Sequence, residues 1–347
     1  MNDNIVYVPM LKTKRGEFAA IEHLSDSVKD HIKPLFTLTL DDAEKRALAL
    51  SSDITKRWGN RPFYIDLNRS NPSLILKGQS LFDHVLIELK TEQLDYTPII
   101  DVHNPESDII NHIVSVGTSA CIRVDVNSFN SRTISSINAI INVLNLNNKK
   151  IDILIDHQSD TRTDRSAQAF DISTYYNLIY NNFHMFVDKI ILGGSSIPEE
   201  LPRDNYSPYG INHRIFWQGY SEFITNNKLE RLPVFADYSI VYPHEPEHLD
   251  FINANSKIRY SFDDQYLFVV GETIKEEGHE QNHDLADKLI SSGHFMGGNY
   301  SWGDKYIVDC AAKNVGCGNM ETWIKVGHNH HITLAAKQNA NLRGISI

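Results

Sequence analysis

The chain has 347 residues, 41% hydrophobic and 22% charged, with a net charge of −11 and a pI near 5.8. That length provides for one large domain or two smaller ones around a sizeable core. The acidic balance excludes a general nucleic-acid-coating role, which needs a basic face, and no apolar run approaches the ~20 residues of a membrane span.

Short β-rich runs recur along the chain, each ending in polar residues. They are "IVYVPML" (5–11), "IKPLFTL" (32–38), "PFYIDLN" (62–68), "TPIIDVH" (97–103), "ACIRVDVN" (120–127), "IDILIDH" (151–157), "KIILGGS" (189–195) and "LPVFADYS" (232–239). Their starts lie 23 to 43 residues apart, which is room for a strand and a return helix. Several intervening segments are amphipathic at helical spacing: 80–89, 131–145 and 171–183. The strand runs are almost continuously apolar, as parallel strands covered by helices require. The pattern predicts an α/β fold, a (β/α)8 TIM-barrel-like domain over residues 1–240. A doubly wound open sheet is the alternative, but no glycine-rich phosphate loop follows the first strand.

After residue 240 the rhythm changes. "SKIRYSFDDQYLFVVGE" (256–272) reads as two strands around a turn at Asp263–Asp264. "NHDLADKLISSG" (282–293) reads as a helix capped by Asn282, with Gly293 just past its end. A stretch rich in glycine and aromatic residues then runs to 331, followed by a short final helix. Residues 241–347 are expected to be a C-terminal α+β elaboration packed on the barrel.

A barrel carries its functional groups at the strand C-termini. Those ends supply Asp66, Asp101, Asp125, Asp156 and Asp237. Clustered carboxylates raise one another's pKa and hold hard cations such as Mg²⁺ or Mn²⁺. Aspartate is also the residue that βα loops need for capping. Lys12, Lys14 and Arg15 follow the first strand and could balance that acidic floor, bind a phosphate or face an acidic partner. Gly16 would make a turn there, and Glu17 would favour the helix start. Arg162 and Arg165 lie in a polar loop after the sixth strand and could clamp an anion.

The densest patterns lie near the end, in "YSWGD" (300–304) and "GCGNMETWIKVGHNHHI" (316–332). A zinc site is poorly served there, because His328, His330 and His331 have awkward spacing and lack further ligands. Histidine is suited to proton transfer at neutral pH. In extended backbone His330 and His331 face opposite ways. One is then expected to bond inward, to Asp304 or a strand-end carboxylate, as the segment covers the barrel mouth.

The N-terminal "YVPMLKTKRGEFAAIEHLSDSVKDHIKPLFTL", the central "FADYS" and "KIRYSF", and the terminal motifs together resemble the Beta protein family of prophages, satellite phages and bacterial genomes. The resemblance runs from about residue 6 to 335. It is most specific in Ser301, Gly303 and Asp304, then Gly318, Asn319 and Trp323, then Gly327, Asn329, His330, His331 and Ile332. Where the family pattern would place an arginine after the tryptophan, this chain has Ile324 and Lys325. His328 lies outside the pattern. The family implies an operon component beside a cell-killing protein and a small regulator, as in toxin–antitoxin or phage-defence systems, and no established reaction.

The leading expectation is a cytoplasmic barrel protein that binds an operon-encoded partner protein or a small phosphorylated ligand at its mouth, without a cofactor. Lys12, Lys14, Arg15, the five strand-end aspartates, Tyr300, Ser301, Asn319, Trp323 and Asn329 are the candidate contacts. The alternative is a hydrolase of nucleotides or phosphorylated substrates, with a divalent metal such as Mg²⁺ or Mn²⁺ on the aspartates and His330, His331 and Asp304 as the proton-transfer group. The three cysteines, Cys121, Cys310 and Cys317, form no CxxC pair and read as free thiols. The N-terminus lacks the order of a signal peptide.

Overall fold

The computed structural model describes residues 4–40, 43–71, 73–145, 151–159, 163–199, 201, 209–244 and 254–347. Each of the eight β-rich runs supplies one strand of a closed parallel barrel. In chain order the first elements are β1 (Tyr7–Lys12), α1 (Arg15–Glu22), α2 (Asp26–Lys29), β2 (Leu35–Thr37), α3 (Ala43–Arg57) and β3 (Phe63–Asp66). A small hairpin, β4 (Ile75–Leu76) and β5 (Gln79–Ser80), precedes α4 (Leu81–Thr91). Then come β6 (Tyr96–Asp101), α5 (Ser107–Val116), β7 (Ala120–Asp125), α6 (Thr133–Asn145), β8 (Ile151–Ser159), α7 (Arg165–Phe183) and β9 (Lys189–Ser195). Strand β10 (Tyr209–His213) and α8 (Ile215–Asn226) lead to β11 (Val234–Asp237). Around the barrel the strand order is β1, β11, β9, β8, β7, β6, β3, β2, and β2 pairs back onto β1.

Strand alternation sorts the side chains into two layers. Val8, Met10, Leu35, Tyr64, Ile99, Cys121, Leu154, Ile191, Val234 and Ala236 fill the barrel. Their neighbours, among them Tyr7, Phe36, Phe63, Ile100, Ile122, Ile153, Ile190 and Phe235, pack under the helices. Burying either set removes ~1.5–3 kcal/mol worth of apolar surface from water per large side chain.

The C-terminal region consists of β12 (Asn255–Phe262), β13 (Gln265–Thr273), α9 (Ile274–Glu277), α10 (Asn282–Ser291), α11 (Trp302–Ala311) and α12 (Met320–Leu342). The hairpin turns at Asp263–Asp264 as expected, and β10 joins it to give the sheet order β10, β13, β12. This sheet and α10 to α12 share a second core around Tyr260, Leu267, Leu285, Ile307, Trp323 and Val326. The second half of α12, through Ile332, Ala335, Ala336 and Ala340, belongs to the barrel core instead. One helix therefore joins the two cores, lying against α1 and β1.

Four local expectations are corrected. The last helix is 23 residues long, not short, and it includes all three clustered histidines. Asn282 does not cap α10 but is its first residue, and its buried amide bonds Ser256 and the carbonyl of Gly318. Gly16 lies within α1, not in a turn; a Cβ there would sit 3.1 Å from the carbonyl oxygen of Glu321, so its absence allows α1 and α12 to pack closely. The polar loop after the sixth strand is shorter than expected, since β8 runs to Ser159 and α7 starts at Arg165. Arg165 pairs with Glu222 at 3.3 Å, and Arg162 lies outside the described residues.

Candidate functional site

All five strand-end aspartates lie at the C-terminal end of the barrel, and all five make the same local bond. One carboxylate oxygen accepts the backbone N–H two residues on: Asp66 from Asn68 (3.0 Å), Asp101 from His103 (2.8 Å), Asp125 from Asn127 (2.9 Å), Asp156 from Gln158 (2.9 Å) and Asp237 from Ser239 (2.9 Å). Ser195 does the same with Ile197 (3.1 Å). At Asp66, Asp101, Asp125 and Asp237 this bond turns the chain out of the strand, the local work aspartate does in loops, whereas at Asp156 it marks a register shift within β8, which runs on to Ser159.

The remaining oxygens separate the aspartates by role. Asp66, Asp101, Asp125 and Asp156 share the strand parity of the barrel-filling residues and face inward. Arg123 rises between them from β7. Its guanidinium donates to Asp66 Oδ2 at 2.6 Å and, through Nε, to Asp156 Oδ2 at 2.9 Å, with Nη2 also on Asp156. Tyr238 donates to Asp156 at 2.6 Å and accepts from Arg123 at 2.8 Å and Arg69 at 3.2 Å. Arg69 also bonds the carbonyl of Pro243 at 3.0 Å. Asp66, Asp156, Arg123 and Tyr238 are all buried. Burial opposes ionisation of Asp156, but Arg123, Arg69 and Tyr238 outweigh it and hold the carboxyl below its usual range. Burial, aided by Asp156, pushes the Tyr238 phenol up. At the rim, Gln158 donates to Asp125 Oδ2 at 2.7 Å. Two arginines thus balance two carboxylates in a buried ion-pair network, while Asp101 and Asp125 lie half-buried at its rim.

Asp237 has the opposite parity and points out of the barrel, away from the shared pocket in which it was expected. There it accepts from Tyr7 at 2.6 Å and meets His331 Nε2 at 2.9 Å, with Arg214 at 3.9 Å. His331 Nδ1 faces Ser261 Oγ at 2.6 Å. Burial works against the Asp237 charge, yet His331, Arg214 and Tyr7 bring its pKa down. Burial also lowers that of His331, against the pull of Asp237.

His330 lies about 100° round the same helix. Its Nδ1 is 2.8 Å from Asp304 Oδ2 and its Nε2 is 2.6 Å from the carbonyl of Ser261. Its ring stacks on Tyr260 with centroids 3.8 Å apart. Asp304 also accepts from Ser301 (2.6 Å) and Tyr260 (2.8 Å). Burial disfavours the Asp304 charge, but His330 and these two donors lower its pKa. The expectation that one of the two histidines bonds inward while its neighbour faces packing or solvent is replaced: both are fully buried, and both bond carboxylates. The reason is the backbone, which is helical where an extended segment was expected, so the two adjacent rings diverge by a helical step and each reaches a different wall. The segment stands beside the barrel, against α1, and does not cross its mouth.

The other motif residues fix this arrangement. Ser301 caps α11 and Asn319 caps α12. Asn329 bridges α11 to α1, accepting from Gly303 N (2.9 Å) and donating to the Ala20 carbonyl (3.0 Å). The Trp323 indole donates to the Cys317 carbonyl at 3.0 Å. Tyr300 lies against the His330 ring, with the Lys337 amine 4.2 Å over its own. Buried among bonded partners, Asp304, Asn329, His330 and His331 have no face open to a substrate among the described residues, and Ser301 is half-buried beside them.

The basic run is divided. Lys12 reaches the carbonyl of His244 at 3.4 Å, and Arg15 pairs loosely with Glu321 at 3.7 Å. Arg15 also lines a cleft of about 390 Å³ between α1 and α3, with Thr13, Phe18, Lys45, Arg46, Ala49, Leu50, Asp53 and Arg57. Arg46 donates to the Thr13 carbonyl at 2.5 Å. Thr13 Oγ1 and Arg46 Nε are buried without a hydrogen-bond partner among the described residues. Helix α1 begins here with no capping side chain, so its positive end adds to the cationic wall. Sequence reading missed Arg46, Arg57, Arg123, Arg69 and Tyr7. Arg123 had a signal, a charge inside an apolar strand run; the others are brought in by the fold.

Fold and site define a (β/α)8-type barrel in which the strand-end aspartates Asp66, Asp156 and Asp237 are tied into buried networks and a cationic cleft lies on one flank. Within that class the chain belongs to the Beta protein family, whose model matches residues 7–337. No curated protein matches it in sequence. Among solved structures it is similar to a broad-specificity endoglucanase from an uncultured bacterium, at 8% identity and a TM-score of 0.39, over 67% of this chain and 79% of that one. It is also similar to the enoyl reductase domain of MlnA from the macrolactin biosynthesis cluster of Bacillus amyloliquefaciens, again at 8% and 0.39, over 98% of this chain and 94% of that one. These likenesses carry no information about chemistry. No helix among the described residues is long and apolar enough to cross a membrane.

Proposed function

We propose that this protein is a binding component, not a hydrolase, and that it takes a phosphate-bearing small ligand in the α1–α3 cleft. The observation that supports this is the contrast between the two polar sites. Asp66, Asp156, Asp237 and Asp304, with His330 and His331, are tied up by arginine, tyrosine, serine and each other, while Asp101 and Asp125 lie half-buried at the rim. The cleft instead presents Lys45 and Arg46, with Arg15 loosely paired to Glu321 and Arg57 held by Glu22 and Asp53, together with a buried threonine hydroxyl and a guanidinium N–H that lack partners among the described residues. Buried polar atoms without partners are costly, and a ligand oxygen would satisfy them. The volume suits a small molecule. The family resemblance supplies the setting in this reading: a cytoplasmic operon component, in a toxin–antitoxin or phage-defence arrangement, that passes ligand occupancy to a protein partner.

Calorimetric titration of the full chain with ATP and with inorganic pyrophosphate tests the reading. Binding should appear, and Lys45→Glu and Arg46→Ala should each weaken it at least tenfold. Absence of binding, or equal binding by both variants, overturns it. Phosphate release from the same samples with Mg²⁺, abolished by Asp66→Asn, would favour the hydrolase instead.

A further inference from the structure

A second cluster lies where the start of α10 meets the turn between α11 and α12. Glu280 precedes the helix, His283 is in its first turn, and Cys317 is in the turn Gly316–Cys317–Gly318. One ligand atom from each lies within 4.8 Å of the other two. His283 Nε2 is 3.6 Å from Glu280 Oε2, and Cys317 Sγ is 3.6 Å from Glu280 Oε1. We propose that Glu280, His283 and Cys317 bind a zinc-class divalent metal ion, with water in the fourth position.

Two of the three separations, each to a different oxygen of Glu280, are close to what that chemistry needs, and the third lies within 4.8 Å. Bonds of about 2.0 Å to nitrogen and oxygen and about 2.3 Å to sulfur, at tetrahedral angles, set ligand-to-ligand edges of roughly 3.3–3.5 Å. The exposed Glu280 side chain can rotate to bring one oxygen to both partners and close the site on an ion. Thiolate, imidazole and carboxylate together are a donor set that favours zinc over magnesium or calcium.

The surroundings orient the ligands. His283 Nδ1 lies 2.6 Å from the carbonyl of Cys310, so that nitrogen carries the proton and Nε2 presents its lone pair to Glu280 and Cys317. Metal-binding histidines are held in this way by a carbonyl behind the ring. Cys310 lies on the Nδ1 side, with its sulfur 3.5 Å from that nitrogen, and is not a fourth ligand to the same ion. The Cys317 turn is held from two sides, by the Trp323 indole on the Cys317 carbonyl (3.0 Å) and the Asn282 amide on the Gly318 carbonyl (3.3 Å). The Glu280 side chain is 85% exposed, which leaves room for an ion and its water to enter. A bound ion would clip α10 to the start of α12 and hold the turn that leads into the Asn319 cap.

The test uses the full chain, stripped with chelator under reducing conditions and titrated with Co²⁺ and then Zn²⁺. The expected result is one equivalent bound, a thiolate-to-cobalt charge-transfer band that Zn²⁺ removes, and a higher melting temperature with Zn²⁺. Cys317→Ser should abolish the band. Glu280→Gln, at an exposed side chain that the fold does not need, should weaken Zn²⁺ binding at least tenfold. Cys121→Ala, which thins the barrel core and lowers the melting temperature of the metal-free chain, should leave the cobalt band and the Zn²⁺ affinity unchanged. No stoichiometric binding by the parent chain, a band that persists in Cys317→Ser, or unaltered affinity in Glu280→Gln would overturn the proposal.

Discussion

Asp237 and His331 are 94 residues apart in sequence and 2.9 Å apart in the fold. The aspartate ends the last barrel strand and points outward; the histidine reaches it from the helix that joins the two cores. Burial keeps the imidazole neutral, so the contact is a buried hydrogen bond to a carboxylate, and removing one partner costs roughly 1.5–3 kcal/mol. His331→Ala and Asp237→Asn should each destabilise the chain by that order in urea denaturation. The double variant should cost less than the sum, which is the signature of a direct contact. Additive effects would mean that the pair does not join α12 to the barrel.

His328 leads to a second expectation, in pH. It is fully buried, with Nδ1 2.9 Å from Ser239 Oγ and Nε2 without a partner among the described residues. Burial, aided by His331, Arg259 and Lys12 and opposed by Asp237, puts its pKa well below 6.5. The unfolded chain therefore binds a proton near pH 6.5 that the folded chain refuses, so stability is full above that pH and falls as pH drops below it. Burial shifts His331 the same way. Denaturation midpoints should decline from pH 7 to 5, and His328→Gln should flatten part of that slope. A second loss, through Asp156, Asp237 and Asp304, should begin only below about pH 4, since their folded values lie under the ordinary carboxylate value.

The barrel was legible because its strands are apolar on both faces and each stops at a polar residue, a pattern that survives without tertiary information. The aspartates were legible by type, and their turn-forming bond is local. What each second oxygen does was not legible, because it depends on parity and on partners from distant strands. "FADYS" shows the limit: Asp237 and Tyr238 are adjacent, yet one faces the helices and the other the barrel. The helix over 320–342 was obscured by Gly327, Asn329 and the histidines, poor helix formers that are retained because each fits a particular neighbour. Tertiary packing overrode propensity there.

Arg123 is the hub of the barrel floor, and its removal should show how much the floor depends on charge balance. Arg123→Met keeps bulk but leaves Asp66 and Asp156 buried side by side, with Arg69 at 3.9 Å as the remaining cation on Asp156. A loss of about 3–5 kcal/mol is expected. Adding Asp66→Asn should recover part of it, since one uncompensated charge is then gone. Guanidinium denaturation of the three proteins measures this, and a double variant no more stable than Arg123→Met would show that the two carboxylates do not share the arginine.

The glycines of the terminal motifs give the last expectation, which separates packing from chain freedom. Gly303 and Gly327 do not have positive φ, so their lack of a side chain serves close approach. A Cβ on Gly303 would lie 2.5 Å from the Val326 carbonyl oxygen, and one on Gly327 would lie 2.8 Å from that of Arg259. Both obstacles are backbone, in α12 and β12, and cannot rotate away as a side chain would. Gly303→Ala and Gly327→Ala should therefore each cost on the order of 1–3 kcal/mol, by forcing α11 off α12 and α12 off the sheet. Gly316 is the control, because it also lacks a positive φ, and no described residue comes within 4 Å of where its methyl group would stand. Gly316→Ala should stay within about 0.5 kcal/mol of the parent. Thermal melting of the three variants decides the matter: equal, small effects at all three would mean that the helices have slack at these contacts, and that the motif glycines serve something other than the close packing of α11, α12 and β12.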